Sequence, residues 1–483
     1  MSHLRTPDKE ATMPPSPGAS QDDGAVSELN GTFLSSWLDR LGLGTRQSRA
    51  WAAYDWANSA FATIILAGVF PIFYRDVAGA ELLGADGLNS ADLYWSYTQS
   101  IALAIVAVLS PVLGAVADFM GAKKRFLGAF ILVGVLATAA LFGVGRGDWL
   151  FASVAFVVAF VGFAGANVFY DALLPHVAPK GRADQLSASG YAIGYLGGGL
   201  LLLLNLAWIL MPERFGFAGI ESATRWALLS VALWWAVFSL PILRRVPEPP
   251  RRVEAKEAAA SIRPLTAGFA RLAETFRDLR QYRQLLLFLC AFWLYADGIG
   301  TIIKMATIYG RTLGLEQGDL IGALVLTQFA GIPFAFAFGL LARRIGSKQA
   351  LYLGLSVYAG ISAGAYFLEH AWQFWLMAFL IATVQGGTQA ISRSLFSSMA
   401  PAARSSEFFG FYSVSAKFAG ILGPLVFALV RQTTGDPRNA IFALIVFFLG
   451  GMAVLSRVDI EEGQRVAREE DAKFDAANRT TAA

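Results

Sequence analysis

The sequence has little charge for its length. Only 15% of its 483 residues are Asp, Glu, Lys or Arg, whereas 55% are apolar. A soluble globular chain carries roughly 25% charged residues. So few polar side chains cannot cover so much apolar surface in water, which excludes an ordinary soluble domain and favours a chain that lipid solvates. The 48 glycines agree, because glycine lets transmembrane helices approach closely.

Cysteine and histidine are also scarce. The single cysteine, Cys290, excludes an intrachain disulfide, and its apolar surroundings indicate a packing residue. The three histidines lack the spacing of metal ligands, and no phosphate-binding Gly-Lys-Ser/Thr loop is present. We therefore expect no metal, no cofactor, no nucleic-acid partner and no enzymatic activity. A primary pump is likewise disfavoured.

Long apolar runs dominate the chain after a Ser-, Pro- and Gly-rich start that predicts disorder. A membrane-spanning helix needs about twenty mostly apolar residues, and twelve runs reach that length. We therefore predict an all-α membrane protein with twelve transmembrane helices in two pseudo-symmetric six-helix bundles. The predicted spans are 51–74, 93–117, 125–144, 149–171, 187–210, 225–243, 284–309, 320–342, 349–368, 372–395, 408–431 and 439–456.

This division predicts five segments. A cytoplasmic N-terminal tail, mostly disordered, covers 1–48, and no signal peptide is recognisable in it. The two six-helix halves cover 49–245 and 284–457, separated by a cytoplasmic linker at 246–283 and followed by a cytoplasmic tail at 458–483. In the linker, apolar residues recur at steps of three and four from Ile262 to Leu279. That pattern predicts an amphipathic helix, either on the membrane surface or packed under the bundle.

Short basic loops set the predicted orientation. They follow the even-numbered spans, whereas the opposite loops pair their few bases with acids. By the positive-inside rule both termini lie in the cytoplasm, and an even number of spans agrees. The basic residues are Lys123, Lys124, Arg125, Lys180, Arg182, Arg244, Arg245, Arg251, Arg252, Arg343, Arg344, Lys348 and Arg404.

The two halves repeat each other. Segment 114–123, between spans two and three, reads GAVADFMGAK, and segment 339–348, between spans eight and nine, reads GLLARRIGSK. The glycines and the final lysine keep identical spacing, but Arg343 stands where the first copy has Asp118. Internal repeats of this kind often place a transport site between two halves.

The first of these loops, with Gly114, Asp118, Gly121 and Lys123, resembles the signature of the major facilitator superfamily. The resemblance covers roughly residues 50–457. In the first span, segment 54–61 reads YDWANSAF, and this resembles a branch of bacterial permeases related to autophagy-linked vacuolar amino-acid effluxers. The resemblance implies an alternating-access carrier that acts as a monomer in a bacterial plasma membrane. It also implies that spans one, four, seven and ten line a central cavity.

Polar residues inside the spans are candidates for that cavity. An intramembrane charge costs about 2.5–3.5 kcal/mol on insertion scales, so each should face protein or water. They fall on spans one, four, seven and ten, plus eleven. The candidates for contact with substrate or a coupling ion are Asp55, Asn58, Asn167, Asp297, Thr301, Lys304, Gln385, Gln389 and Lys417. Acids facing bases would suit a zwitterion, and the acids could instead carry a coupling proton.

Structural alternatives remain for several of these residues. Asp297 and Lys417 could form an ion pair between spans seven and eleven. Lys304 lies near a span end and could snorkel, and Asp55 could be interfacial. Asp171 and Arg393, which occupy equivalent positions of the repeat, suit an inner-gate salt bridge or plain interfacial charge.

A second group of residues is predicted to act in gating. A carboxylate beside a helix start caps free amides, so Asp118 can favour one closed conformation. Lys123 and Arg125 either pair with such acids or simply mark the positive side. The predicted gating residues are Gly114, Asp118, Gly121, Lys123, Arg125, Asp171, Arg343 and Arg393.

The sequence thus predicts a secondary carrier for a small polar solute such as an amino acid, with proton coupling left open. Its partners would be the solute and the lipid bilayer. A lipid or glycolipid flippase on the same fold is an alternative that needs a more apolar cavity and a lateral opening. A non-transporting sensor is a third class, but such a protein gains little from clustered intramembrane charges.

Overall fold

The computed structural model describes residues 35–82, 91–250, 281–419 and 422–482, together with residues 266 and 273. These residues fold into twelve membrane spans and a C-terminal helix. The spans are numbered 1 (Arg46–Ala78), 2 (Ala91–Met120), 3 (Lys123–Ala140), 4 (Trp149–Ala172), 5 (Ala183–Leu210), 6 (Ile220–Arg245), 7 (Arg283–Thr312), 8 (Gln317–Ile345), 9 (Ser347–Ala365), 10 (Ala371–Met399), 11 (Ser405–Phe418 and Leu422–Thr434) and 12 (Pro437–Ala443 and Ile445–Ser456).

Within the described residues, ten segments are long and apolar enough to cross a membrane. The other two spans are span 9, at 19 residues, and span 11, which is divided into two shorter helices. The all-α architecture agrees with the sequence prediction, and the ten membrane-length helices together with spans 9 and 11 are consistent with the predicted count of twelve. The amphipathic linker helix predicted around 262–279 lies outside the described residues.

Span 1 begins five residues earlier than predicted and is irregular. Thr45 and Ser48 form a capping box, in which each side chain bonds the other residue's backbone N–H, and this fixes the start at Arg46. Between Phe61 and Gly68 the helix widens into a π-helix. Pro71 explains the distortion, because its ring excludes the carbonyl one turn earlier from a regular helical position.

Span 11 is not the single run predicted at 408–431. Its second helix starts at Leu422, and the backbone N–H of Gly423 donates to Asp297 Oδ1 of span 7 over 3.0 Å. A side chain at Gly423 would overlap Thr301. The carboxylate of Asp297 therefore caps a helix start in mid-membrane, where a free amide would be costly.

Each half has its own hydrophobic core. In the first half it is centred on Trp51, Phe70 and Trp235, and in the second on Tyr358 and Phe448. We call the side where span 1 begins and span 12 ends the terminal side, and the opposite one the distal side. On the terminal side Lys348 Nζ donates to the carbonyl of Val458 at 2.7 Å, and Arg182 bonds Asp39 at 2.9 Å.

The C-terminal helix, Ile460–Ala482, was not predicted as an ordered element. Its apolar face packs under the second half through Phe474, which is buried. One turn before Phe474, Asp471 accepts hydrogen bonds from the backbone N–H groups of Ala402 (3.0 Å) and Ala403 (2.9 Å). The helix therefore holds the segment that leads into span 11.

Candidate transport cavity and terminal-side gate

A cavity of about 990 Å³ lies between the two halves. It reaches the distal side, where its mouth carries Asp76, Arg146 and Glu221. Deeper, its walls are mostly aliphatic and aromatic, with side chains from spans 1, 5, 7, 8, 9 and 10. The polar side chains among the described lining residues below the mouth include Thr63, Gln328 and Gln385. The site can therefore enclose a small organic solute with a large apolar surface.

The structure separates the predicted cavity residues. Gln385 lines the cavity, and Gln389 lies one turn further along span 10, half-buried. Asn58 donates to Asn167 Oδ1 at 2.8 Å, which ties span 1 to span 4. The described cavity lining does not include this pair.

Asp297 and Thr301 lie where span 7 meets the break in span 11 rather than on the described cavity lining. Asp297 is 1% exposed. The side chains of Lys304 and Lys417 lie outside what the structure describes, so the Asp297–Lys417 pair remains a hypothesis.

Asp55 lies in an ionic cluster with Arg393 rather than on the cavity wall. Arg393 Nη2 is 3.3 Å from Asp55 Oδ2, and Nη1 is 3.2 Å from Asp171 Oδ1. The Arg393 Nε donates to Ser187 Oγ at 2.9 Å, and Tyr170 donates its hydroxyl to Asp55 at 2.7 Å. One cation of the second half is thus neutralised by two acids of the first.

Three aromatic rings also surround the guanidinium group of Arg393 in this ionic cluster. The Arg393 guanidinium carbon lies 4.8 Å from the ring centroid of Trp51, 5.4 Å from that of Tyr170 and 4.6 Å from that of Tyr191. Such distances allow cation–π attraction, which strengthens when water is excluded. Arg393 is only 3% exposed, so this insertion holds the two halves together firmly.

A second contact between the halves involves Asp118. Its carboxylate accepts hydrogen bonds from the backbone N–H groups of Ser406 (3.3 Å) and Glu407 (2.8 Å), which belong to the first turn of span 11. Lys123 pairs with Asp118 and also donates to Ser405 Oγ at 2.6 Å. Asp118 therefore caps a helix of the opposite half, where its charge also complements the helix dipole.

Close backbone packing accompanies this cap. A Cβ at Gly114 would overlap the carbonyl group of Ser406, and a Cβ at Gly410 would lie 2.7 Å from the Cα of Pro111. Spans 2 and 11 can meet this closely because neither contact position has a side chain. Gly121 turns the chain after span 2 with a φ of 60°, a conformation that glycine adopts without strain.

The second copy of the loop makes a related contact with different chemistry. Gly339 packs against Ala188 of span 5, and its carbonyl accepts a hydrogen bond from Gln185 at 3.0 Å. Arg343 is exposed. In this second contact the carboxylate is provided by Asp184, at the start of span 5. It accepts hydrogen bonds from Ser347 Oγ, at 2.6 Å, and from the hydroxyl of Ser394. The contacts between the halves are thus pseudo-symmetric in position, but their acids come from the first half in both places.

Arg125 is exposed, and its backbone N–H bonds Glu248 Oε2 at 3.2 Å. It joins span 3 to the end of the first half rather than to the second half. Several residues of these terminal-side contacts were not found from the sequence: Trp51, Tyr170, Asp184, Ser187, Tyr191, Ser405 and Asp471. Most are aromatic or hydroxyl residues on apolar helix faces, where nothing in the local pattern separates them from packing residues.

Within the described residues, hydrogen bonds and ion pairs between the halves run from mid-depth to the terminal side. The most distal of these hydrogen bonds runs from Gln328 Nε2, on span 8, to the backbone carbonyl of Tyr195, on span 5, over 3.1 Å. In the part of the chain that the structure describes, the two halves are therefore in contact on the terminal side, and the cavity between them opens on the distal side. That arrangement is one of the two end states an alternating-access carrier needs.

Sequence comparisons identify relatives along most of the chain. Residues 89–468 match the profile of the family described as "Vacuole effluxer Atg22 like". The MFS-type transporter YxiO of Bacillus subtilis (strain 168), itself described as uncharacterized, is 39% identical over 88% of this chain and 98% of its own length. Autophagy-related protein 22 of Eremothecium gossypii is 24% identical over 87% of this chain and 92% of its own length.

Solved structures with the same fold are transporters. The human organic anion transporter MFSD10 superposes with a TM-score of 0.65 at 15% identity, covering 85% of this chain and 99% of that one. A bacterial homologue of the iron transporter ferroportin, in its outward-facing state, gives 0.62 at 16% identity, covering 86% and 99%. At these identities the likeness establishes the fold alone. With the family match, it shows that this multi-pass membrane protein is a transporter of the major facilitator type and belongs to the Atg22-like vacuole effluxer family.

Proposed function

We propose that the protein is a secondary carrier that moves a small amphipathic solute, such as an amino acid, by alternating access. The observation that carries the proposal is the large cavity between the halves, open on the distal side of the described residues, with contacts between the halves closing the terminal side. Breaking these contacts while closing the mouth would expose the cavity to the other side. The cavity volume of about 990 Å³ is within the range of small-molecule sites.

We further propose that the terminal side is cytoplasmic, in a bacterial plasma membrane. Basic residues of the terminal-side loops, including Lys124, Arg244 and Arg344, support this orientation through the positive-inside rule. The cavity then opens to the outside. Coupling to protons is a further proposal, for which the buried acids Asp55 and Asp297 are the candidates. Labelling of single cysteines at Lys180 and Glu369, from either side of intact cells, tests the orientation.

The test of transport uses protein reconstituted in liposomes. Vesicles loaded with a mixture of unlabelled amino acids should take up labelled amino acids from outside by exchange. Vesicles without protein, and vesicles with a variant that cannot close the gate (Gly114→Val), are the controls. Exchange equal to that of empty vesicles for all amino acids would contradict the proposed cargo.

The alternative of lipid flipping has one observation in its favour. Below the mouth the described cavity walls are mostly apolar, and Leu203, Ile303 and Leu324 both line the cavity and are more than a third exposed. Fluorescent phospholipid and glycolipid analogues in the same vesicles decide between the two functions. Scrambling of these lipids without amino-acid exchange would favour the flippase.

A further inference from the structure

Spans 5 and 8 join the two halves along one side of the cavity and meet closely at a glycine. A Cβ added at Gly199 of span 5 would lie 3.2 Å from Phe329 Cζ and 3.3 Å from Gln328 Cγ, both on span 8. Gln328 also donates to the carbonyl of Tyr195, the most distal hydrogen bond between the halves among the described residues. The two helices are therefore in contact up to this level.

One turn further toward the distal side, the two helices have separated. Leu203 follows Gly199 by four residues and Val325 precedes Phe329 by four, so each lies on the same helix face as the residue that makes the contact. Both line the cavity, as does Leu206 of span 5. Faces that touch at Gly199 and Phe329 thus border open space one turn later, and we call this opening the 5/8 cleft.

The 5/8 cleft reaches the lipid-facing surface of span 5. Leu200 and Leu204 are each 42% exposed and lie outside the described cavity lining, so they face the bilayer. Leu203 is 43% exposed and does line the cavity, so it lies at the edge where the outer surface of the helix meets the cavity wall. Spans 2 and 11, the other two spans in close contact between the halves, contribute no residue to the described lining.

The 5/8 cleft lies at the depth of lipid chains. Leu203 precedes the distal end of span 5 at Leu210, and Val325 follows that of span 8 at Gln317, each by roughly 10–12 Å at a rise of about 1.5 Å per residue. The two helices have 28 and 29 residues, and they exceed a hydrocarbon core of about 30 Å by roughly 6 Å at each end. The edges of the cleft are therefore about 4–6 Å inside the hydrocarbon region.

Hydrocarbon is the medium that suits the walls of the 5/8 cleft. Leu203, Leu206 and Val325 offer only apolar side chains, whereas an ordered water needs several polar partners. An unfilled gap would lose dispersion contacts along its lining. Because the cleft is continuous with the lipid-facing surface of span 5, the nearest hydrocarbon is the acyl chain of a bilayer lipid.

We propose that an acyl chain of a phospholipid in the distal leaflet enters the 5/8 cleft and packs against Leu203, Leu206 and Val325 while the distal side is open. The chain then forms part of the cavity wall, and it must withdraw when the distal ends of spans 5 and 8 come together. The inference goes beyond the proposed carrier function and holds whatever solute is carried. It also differs from the flippase alternative, in which a whole lipid crosses the membrane.

Fluorescence quenching tests the proposal. A small fluorophore is attached to a cysteine that replaces Leu206 in a Cys290→Ser background, and the full-length protein is reconstituted in phosphatidylcholine liposomes. The quenchers are phosphatidylcholine with a nitroxide on an upper carbon of one acyl chain, and iodide dissolved in the water. Labels that replace Leu204, on the lipid-facing surface, and Glu213, exposed after span 5, are the references. We expect the nitroxide lipid to quench the label at position 206 nearly as strongly as that at 204, and iodide to have little effect on it.

A matched pair of variants tests the route into the 5/8 cleft. Leu203→Trp places a larger side chain at the edge of the cleft and should remove most of the nitroxide quenching at position 206. Leu204→Trp adds the same ring on the lipid-facing surface and should leave that quenching unchanged. Each signal is divided by that of the same protein in liposomes without nitroxide lipid, so that quenching by the new indole ring cancels.

Two results at position 206 would overturn the proposal. Quenching by iodide but not by nitroxide lipid would show that water fills the cleft, and protection from both quenchers would show that spans 5 and 8 are packed together. Equal quenching in the two tryptophan variants would contradict entry past Leu203. Exchange of amino acids in liposomes is measured separately, so its absence would contradict the carrier and leave the lipid contact standing.

Discussion

Arg393 of the second half and Asp55 of the first lie 3.3 Å apart, from Nη2 to Oδ2, although 338 residues separate them in sequence. Both lie among the contacts that join the two halves on the terminal side, and in the alternating-access cycle proposed above this ion pair forms only while that side is closed. Opening the gate must separate the guanidinium from two acids and three aromatic rings. In the proposed transport cycle the contact therefore stabilises the end state that is closed on the terminal side.

Replacing Arg393 by Gln should open the terminal side. The change leaves Asp55 and Asp171 buried without their cation, and breaking a buried pair in this way costs about 3–5 kcal/mol. Spin labels on cysteines that replace Lys180 and Arg344, both exposed on the terminal side, report the opening as a longer distance in a Cys290→Ser background. Arg438→Gln is the matched control, because that guanidinium bonds the carbonyl of Leu368 on the distal side. An unchanged distance between the spin labels in the Arg393 variant would show that Arg393 does not hold the terminal side closed.

Gly114→Ala should disfavour the closed gate by steric overlap alone. The added Cβ meets the carbonyl group of Ser406, which is backbone and cannot rotate away. Gly360→Ala is the control, because a Cβ there meets nothing within 4 Å. We expect slower exchange and a longer label distance for the first variant and wild-type behaviour for the second. Equal exchange by the two variants would show that spans 2 and 11 need not approach this closely.

Asp118 and Lys123 should behave as a coupled pair. Asp118→Asn leaves the Lys123 ammonium buried beside a neutral amide, and Lys123→Gln leaves the carboxylate without its cation. The double variant removes both charges, so we expect it to be more stable than the sum of the single losses predicts, with a coupling energy of about 0.5–3 kcal/mol. Thermal unfolding of the four proteins measures this cycle. Strictly additive losses would mean that the two charges act independently.

Asp297→Asn should abolish transport while leaving the fold intact. Asn keeps an oxygen that accepts the Gly423 N–H, so the capped start of the second helix in span 11 is retained. Asp297→Leu removes that acceptor as well, and we expect an additional loss of about 1–3 kcal/mol of stability. Exchange assays and melting curves for both variants separate the two effects. Normal exchange by Asp297→Asn would limit Asp297 to the structural role of a cap.

Asp471→Ala should loosen the gate from outside the membrane spans. It removes the acceptor of the Ala402 and Ala403 amides, and Lys123 bonds the carbonyl of the same Ala402 at 3.3 Å. Glu469→Ala is the control, because Glu469 is exposed on the same helix and its ion pair, with Arg465, lies within that helix. We expect a lower melting temperature and faster proteolysis of the C-terminal helix for the first variant. If the two variants have the same melting temperature, the C-terminal helix does not support span 11.

The sequence alone determined the membrane class, the all-α architecture and the positions of most of the helices. These features depend on composition and run length, which any stretch of chain displays by itself. The repeated loops and the charges inside the spans were also visible, and Asp118 was predicted to cap a helix start. Asn58 and Asn167 were predicted on two of the cavity-lining spans, one and four, and the structure joins them directly by a hydrogen bond.

Only the tertiary structure decided which partners these residues meet. Asp55 bonds Arg393 instead of lining the cavity, and Asp297 caps Gly423. Both contacts join spans that are distant in the sequence. Hydrophobic periodicity fixes neither the rotation of a span about its own axis nor its depth in the membrane. The break in span 11 and the docking of the C-terminal helix depend in the same way on packing against other elements. Local sequence indicates which helix faces are polar. The packing of the two halves determines which of these polar faces meet, because an intramembrane charge is stabilised only by the group placed against it.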